Sequence, residues 1–420
     1  MNYKYGAYLI IPFKYSGEFA SVCAGLDALQ MYKLETMDIN ESVKNMFNGA
    51  QERSIGEVYK IGKKTLVSHL CEEGDYSCCQ VEEQTDTYSF DLLDSYLYVF
   101  NTKIAFLCLG LSFRQMDALR MICNPGYVVN PAKFYLFTDD GEKREFSMDQ
   151  WLLGMCGNWQ FERFYDSKAS VLLEAYTYIL ALGDTLYPSL EDLRRVTFNL
   201  HQMQSPNVLV EDDSEGDIRY AYAVKNTALN GYRWGCCVTS QTTAYAFADI
   251  SEHPDLEQEM QIQAQDGLPI TLLALYEKYT CLRFTQLIAD LKPRKLKDII
   301  ELKRMMLNFQ AFGTVSPANL SRWNNVKQIY AYLLEVSETD AAVQDISTKI
   351  DILVAQQQEL ETVRSTRIMN LITVFGIVGI MASVQEIVQI LSDASGLMWN
   401  VTLLTVAVLA LCFGIAMRKK

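Results

Sequence analysis

Asn370, Thr373, Ile377, Ile380 and Val384 recur at helical spacing near the C-terminal end of the chain. On a wheel of about 100° per residue they share one narrow stripe. Gly376, Gly379 and Ser383 fall on the adjacent stripe. Small residues let helix backbones approach one another in lipid, and polar groups at membrane depth face a partner or a water-filled cavity. The chemistry such a stripe supports is control of ion passage. Asn370 and Thr373 would form polar rings at the inner end of a pore, and Ile377, Ile380 and Val384 apolar rings that block ions by dewetting. Glu386 would place negative charge near the outer mouth. The competing reading is a plain membrane anchor, with Asn370 hydrogen-bonded to a neighbour.

Bond-making chemistry finds no comparable signal. The sequence has no GxxxxGK[ST], no GxGxxG after a strand, no HExxH and no GxSxG. Its carboxylates are plentiful, but spacing marks no pair. The cysteines form no CxxC and the histidines are His69, His201 and His253, so no structural zinc site is expected. The cysteines read as reduced, small core residues. No enzyme activity and no bound metal are expected.

The elements that must position the stripe follow from the apolar runs. Residues 368–391 are long and apolar enough to span a bilayer, and so are residues 397–417, with Ser392-Asp393-Ala394-Ser395-Gly396 between them. So short a loop makes the two runs a helical hairpin. Arg364 and Arg367 precede the first run and Arg418-Lys419-Lys420 follow the second, which puts both termini on the cytoplasmic side. Met1-Asn2-Tyr3-Lys4-Tyr5 has no basic stretch leading into an apolar core, so no cleavable signal peptide is expected.

The chain has 420 residues, with 37 Lys+Arg against 51 Asp+Glu, a formal net charge of −14 and a pI near 4.8. That balance excludes a general nucleic-acid binder. Residues 1–267 read as a mixed α/β body with at least five strands. Tyr5–Phe13 is a strand, and Ser95–Phe100 with Ile104–Leu111 a hairpin across Asn101-Thr102-Lys103. Lys133–Thr138 is a strand stopped by Asp139-Asp140-Gly141. Arg219–Val224 and Tyr232–Val238 pair across Asn230-Gly231, with Thr243–Ala248 as a third strand. Ser16–Met31, Phe113–Cys123, Lys168–Leu182 and Leu190–Gln202 read as helices, and 35–90 as loops and short elements.

Residues 268–367 turn helical: Ile270–Leu291, Lys295–Phe312 after a break at Pro293, then a helix from Ser316-Pro317 onward. Val336, Val343 and Ile350, with Ile346, Leu353 and Leu360, repeat every seven residues, as in a coiled coil. An unbroken Val326–Arg367 helix would make a stalk about 60 Å long at roughly 1.5 Å per residue. The alternative is an amphipathic helix packed on its own domain.

This layout resembles the CorA family of divalent-cation transporters: an acidic α/β body, a long helix running into a first membrane helix, a short outer loop and a second membrane helix ending in basic residues. The resemblance implies a homopentamer in the bacterial inner membrane, its first membrane helix lining the pore. The family's Gly-Met-Asn signature is absent. Gly396-Leu397-Met398-Trp399-Asn400 holds those residue types, but dispersed. The chain looks more like a divergent branch found beside type III CRISPR systems, whose members are regarded as membrane effectors opened by a nucleotide second messenger, SAM–AMP. That implies an antiviral channel, with an Mg²⁺ transporter as the alternative and a non-conducting scaffold as a third. A messenger of this kind requires a stacking aromatic, a cation and a carboxylate close together. Arg233-Trp234 beside Ser240, and Phe161–Asp166 with Arg163 and Tyr165, supply such groups.

Overall fold

Tyr3–Lys14 (β1) runs YKYGAYLIIPFK and is buried along almost its whole length. An alternating strand hides one face, whereas a strand buried on both must lie inside a covered sheet. Its neighbours confirm this. β1 pairs antiparallel on one side with Ile104–Phe113 and on the other with Tyr176–Gly183. The computed structural model describes residues 2–48, 54–71, 76–83, 85–123, 132–209, 216–251, 254–290, 296–391, 404 and 407.

Among these residues fourteen strands form one sheet. After β1 come β2 (Gln30–Met31), β3 (Gly56–Ile61), β4 (Tyr76–Glu83), β5 (Asp86–Leu92), β6 (Ser95–Phe100) and β7 (Ile104–Phe113). Then follow β8 (Lys133–Thr138), β9 (Lys143–Phe146), β10 (Glu162–Arg163) and β11 (Tyr176–Gly183). β12 (Arg219–Tyr222), β13 (Trp234–Val238) and β14 (Thr242–Ala248) complete it. The main path is β12-β13-β14-β11-β1-β7-β5-β4-β8-β9, with β3 and β6 branching from β7. β11 and β14 run parallel, Thr177 opposite Thr242, whereas the other ladders are antiparallel. The helices of this α/β body are α1 (Phe19–Ala24), α2 (Glu41–Phe47), α3 (Lys63–Ser68), α4 (Met116–Cys123), α5 (Met148–Asn158), α6 (Leu190–His201) and α7 (Leu256–Gln265).

The 95–111 hairpin forms as its sequence predicts, Phe100 opposite Ile104, with Lys103 at φ 66° closing the turn. The β12–β13 pair and β14 also form. Ser16–Met31 contains only the short α1 and β2, and 35–90 is richer than expected, holding α2, α3 and β3 to β5. The larger correction is Lys168–Leu182. Val171–Glu174 is a 3₁₀ turn, and the rest is β11, buried at every position. A continuous apolar run fits a buried strand as well as a helix. Here the aromatic and β-branched residues of Tyr176-Thr177-Tyr178-Ile179 favour the strand.

Five more helices follow: α8 (Gly267–Asp290), α9 (Leu296–Asn308), α10 (Pro317–Leu320), α11 (Asn324–Val336) and α12 (Thr339–Leu391). α8 packs on the β6–β7 hairpin: Tyr276 stacks on Phe100 at 4.4 Å, Tyr279 meets Phe106 edge-on at 5.4 Å, and the Thr102 and Thr280 hydroxyls bond at 3.0 Å. Gly267 opens this helix against Tyr178, whose hydroxyl a Cβ there would meet at 2.1 Å. The Pro293 break lies outside the described residues.

The stalk is not continuous from Val326. α11 stops at Val336, where the Ser337 N–H donates to the Leu333 carbonyl and Glu338 turns left-handed at φ 51°. α12 starts afresh at Thr339 and runs 53 residues, about 80 Å at 1.5 Å per residue. Ile346 and Ile350 of the heptad positions are buried, whereas Leu360 is 59% exposed.

The chain divides into two compact units, residues 1–292 with 304–347 and residues 293–303 with 348–420. The first holds the sheet and its core. The second holds the start of α9 and most of α12, with Lys303 and Asp351 paired at 3.2 Å.

Candidate functional site

The apolar half of α12 is the one helical stretch, among the described residues, long and apolar enough to cross a membrane, and none of it is buried. Thr373 donates to the Met369 carbonyl at 2.8 Å and Ser383 to the Gly379 carbonyl at 3.0 Å, so these hydroxyls are satisfied within the helix. Asn370, Thr373, Ile380 and Val384 are exposed and Ile377 is half-buried. Ile380 is 66% exposed. The loop 392–396 and the second apolar run 397–417 lie outside the described residues, apart from 404 and 407. The hairpin and its outer mouth therefore stay expectations.

In the first unit four of the five candidate ligand residues separate into two clefts, and Arg163 lines neither of these but pairs with Glu174. Arg233 and Trp234 line a cleft of about 420 Å³ with Asp249, Asp255 and Glu259. Ser240 is not beside them. β13 runs between them, and its five residues span about 17 Å. The cleft at Arg233 is rich in carboxylates whose oxygens are already engaged. Asp255 caps α7 through the Glu257 and Gln258 N–H groups, and Glu259 accepts from Gln263 at 3.0 Å.

Ser240 instead joins Tyr165, at the other end of β13. The two line a cleft of about 380 Å³ at the N-terminal ends of the parallel β11–β14 pair, together with Glu174, Tyr176, Gln241, Lys278 and Tyr279. Each wall has a local cause. The turn into β14 is held by Thr239, whose hydroxyl accepts from the Gln241 and Thr242 N–H groups at 3.2 and 3.0 Å. The Tyr176 hydroxyl donates to the Thr239 carbonyl at 3.2 Å. The Phe164–Tyr165 segment is pinned to α8, where Gln286 donates to the Phe164 carbonyl at 3.0 Å and Tyr279 packs edge-on against Phe164 at 5.0 Å. The 3₁₀ turn is fixed by Asp149, which accepts from the Ser170 hydroxyl and the Val171 N–H.

The charges of this cleft are unequal. Arg163 and Glu174 pair at 2.7 Å and cancel. Burial pushes the Glu174 carboxyl upward, and the guanidinium only partly opposes it. Lys278 has no such partner among the described residues. Burial lowers its affinity for a proton, with no opposing charge, and its Nζ makes one long hydrogen bond, 3.4 Å to the Ser240 carbonyl. Among the described residues the arrangement holds one uncompensated cation beside aromatic rings, amides and hydroxyls.

Sequence reasoning selected Arg163, Tyr165 and Ser240 but missed Glu174 and Lys278. Lys278 had a signal. Glu277 and Lys278 are the only charges in the run Leu268–Tyr279, which is otherwise apolar or neutral and buried almost all round. Glu277 turns away from the cleft. It accepts from the Tyr330 hydroxyl of α11 at 2.6 Å and from the Val315 N–H at 3.2 Å. Among the described residues no group of three or more His, Cys, Asp or Glu is placed to hold a metal ion. No family model matches this sequence, and no curated protein matches it.

Proposed function

We propose that this chain is a CorA-like membrane channel, assembled as a homo-oligomer of pentameric type and gated by a cytoplasmic ligand of the nucleotide second-messenger class. SAM–AMP is the specific candidate, in type III CRISPR antiviral defence. The observation that carries the reading is α12. One helix begins at Thr339 and continues into an unburied apolar stretch bearing the Asn370–Thr373–Ile377–Ile380–Val384 stripe. An apolar face of that length left in water is strongly unfavourable, whereas lipid and sister helices would cover it.

In this reading the protein sits in the bacterial inner membrane with both termini cytoplasmic, and its α/β body senses the ligand on the cytoplasmic side. A ligand shifts the pore by binding the open and closed bodies with different affinity. The test is ion flux from liposomes holding the purified full-length protein, with and without SAM–AMP, alongside an Ile380→Asn variant. Ligand-triggered flux in the wild type and unregulated flux in the variant are expected, because a polar ring wets the constriction. Mg²⁺ uptake indifferent to the nucleotide would replace this reading with a transporter. Tight liposomes under every condition, variant included, would leave a membrane-anchored scaffold.

A further inference from the structure

A half-buried ammonium with no carboxylate beside it is costly, because desolvation is not repaid by a counter-charge. Lys278 is in that position, its burial unopposed by any charge among the described residues. Its neighbours are a backbone carbonyl at 3.4 Å and the lining of the cleft itself. The nearby carboxylate, Glu174, is committed to Arg163. The charge therefore faces an open space of about 380 Å³. That lies within the usual range for small-ligand pockets.

The rest of the lining is consistent with one kind of occupant. The Tyr165 ring forms one wall, set by its packing against Phe164 and Tyr279. Ser240 and Gln241 offer a hydroxyl and an amide on the opposite turn. The whole chain carries a net charge of −14. A cleft whose one unpaired charge among the described residues is positive is thus selective against its surroundings, and attracts an anion that the rest of the surface repels.

We propose that this cleft binds a phosphate monoester joined to a flat ring, with the Lys278 ammonium on the phosphate and the Tyr165 ring against the flat part. The assignment rests on the ligand-sensing reading only in placing the sensor within the α/β body; binding itself needs no conducting pore. It also separates the roles of the two clefts, since the carboxylate-lined one at Arg233 disfavours a phosphate.

The test is calorimetric titration of adenosine 5′-monophosphate and of inorganic phosphate into the detergent-purified full chain, with liposome flux measured in parallel. Saturable binding of the nucleotide is expected, falling about 10- to 100-fold in Lys278→Gln as a charge-assisted hydrogen bond is lost. Lys278→Arg should retain most of the affinity, which keeps the test decisive if the Gln variant folds poorly. Tyr165→Ala should weaken the nucleotide and leave inorganic phosphate unchanged. Arg233→Gln should bind as the wild type does. Unchanged affinity in Lys278→Gln, loss in Arg233→Gln instead, or no saturable binding of either probe to the wild type would each overturn the assignment. Binding without flux would sink the channel and leave the site, and flux under SAM–AMP without Lys278 dependence would do the reverse.

Discussion

Glu277 offers a sharp test of how α8 is fastened to α11. Its carboxyl is only 3% exposed. It accepts from Tyr330 at 2.6 Å and from the Val315 N–H at 3.2 Å, and no cation pairs with it among the described residues. Burial raises its pKa from 4.5 to about 7, the two hydrogen bonds oppose this, and Asp340 adds to it. Over that interval the folded chain binds the proton more tightly than the unfolded chain. Stability from this group is therefore fully present below pH 4.5, falls as pH rises towards 7 and is constant above. At about 1.4 kcal/mol for each pH unit, the full loss is about 3 kcal/mol. Glu277→Gln removes the titration and keeps an acceptor for Tyr330 and Val315. Thermal unfolding of the full chain in detergent, followed by intrinsic fluorescence between pH 5 and 8, reads the effect. Other titrations cancel in the difference between variant and wild type. The variant should gain on the wild type by several degrees as pH rises, with the gain levelling off above neutrality. Tyr330→Phe should move the wild-type inflection to higher pH, because it deletes a hydrogen bond to the ionised form. A constant difference between Glu277→Gln and wild type across the range would refute the reasoning.

Three further expectations are independent of it. Glu338 holds a left-handed conformation at φ 51° between α11 and α12. Glu338→Gly should raise stability by about 1 kcal/mol and Glu338→Val should lower it, as melting temperature would record. A Cβ at Gly267 would meet the Tyr178 hydroxyl at 2.1 Å and Gln263 Oε1 at 2.7 Å. Gly267→Ala should cost about 1–3 kcal/mol through overpacking, visible as a melting point lowered at every pH. Expression of Ile380→Asn should slow growth of the host if α12 lines a pore, whereas Ile380→Leu should be silent; equal growth of the two at matched expression would count against a pore.

The parts of the fold legible in sequence are those where local chemistry and tertiary demand agree. The 95–111 hairpin is one: strongly apolar strands flank the short Asn101-Thr102-Lys103 turn, and the strands pair directly across it. Lys168–Leu182 is the opposite. β11 is buried on both faces, between β1 and β14, so its sequence has lost the alternation that would mark a strand. The break at Ser337-Glu338 was invisible for another reason. A glutamate rather than a glycine takes the left-handed position, and the seven-residue apolar repeat runs through it unchanged. That repeat identified Ile346 and Ile350 as covered positions, yet repetition alone does not say whether a neighbouring helix of the same chain or a second copy covers them.

The cleft was half legible, and its missing half follows from topology. Tyr165 and Ser240 carry suitable chemistry, but nothing in the linear order says that they meet. They do so because β11 and β14 run parallel, which brings the start of each, and the turns that precede them, to one edge. Arg233-Trp234, close to Ser240 in sequence, is carried to the far end by the length of β13. The strongest clue lay in the first half of α8, where Glu277 and Lys278 interrupt a run, Leu268–Tyr279, that is otherwise buried nearly all round. Such a helix is able to hold a glutamate and a lysine at adjacent positions only if they leave in different directions. Glu277 reaches α11 and the segment at Val315, while Lys278 reaches the cleft at Ser240. Each charge is tolerated because something specific receives it. For Glu277 that receiver is visible as two hydrogen bonds; for Lys278 the bond to Ser240 is long, and the anion proposed for the cleft would be its receiver.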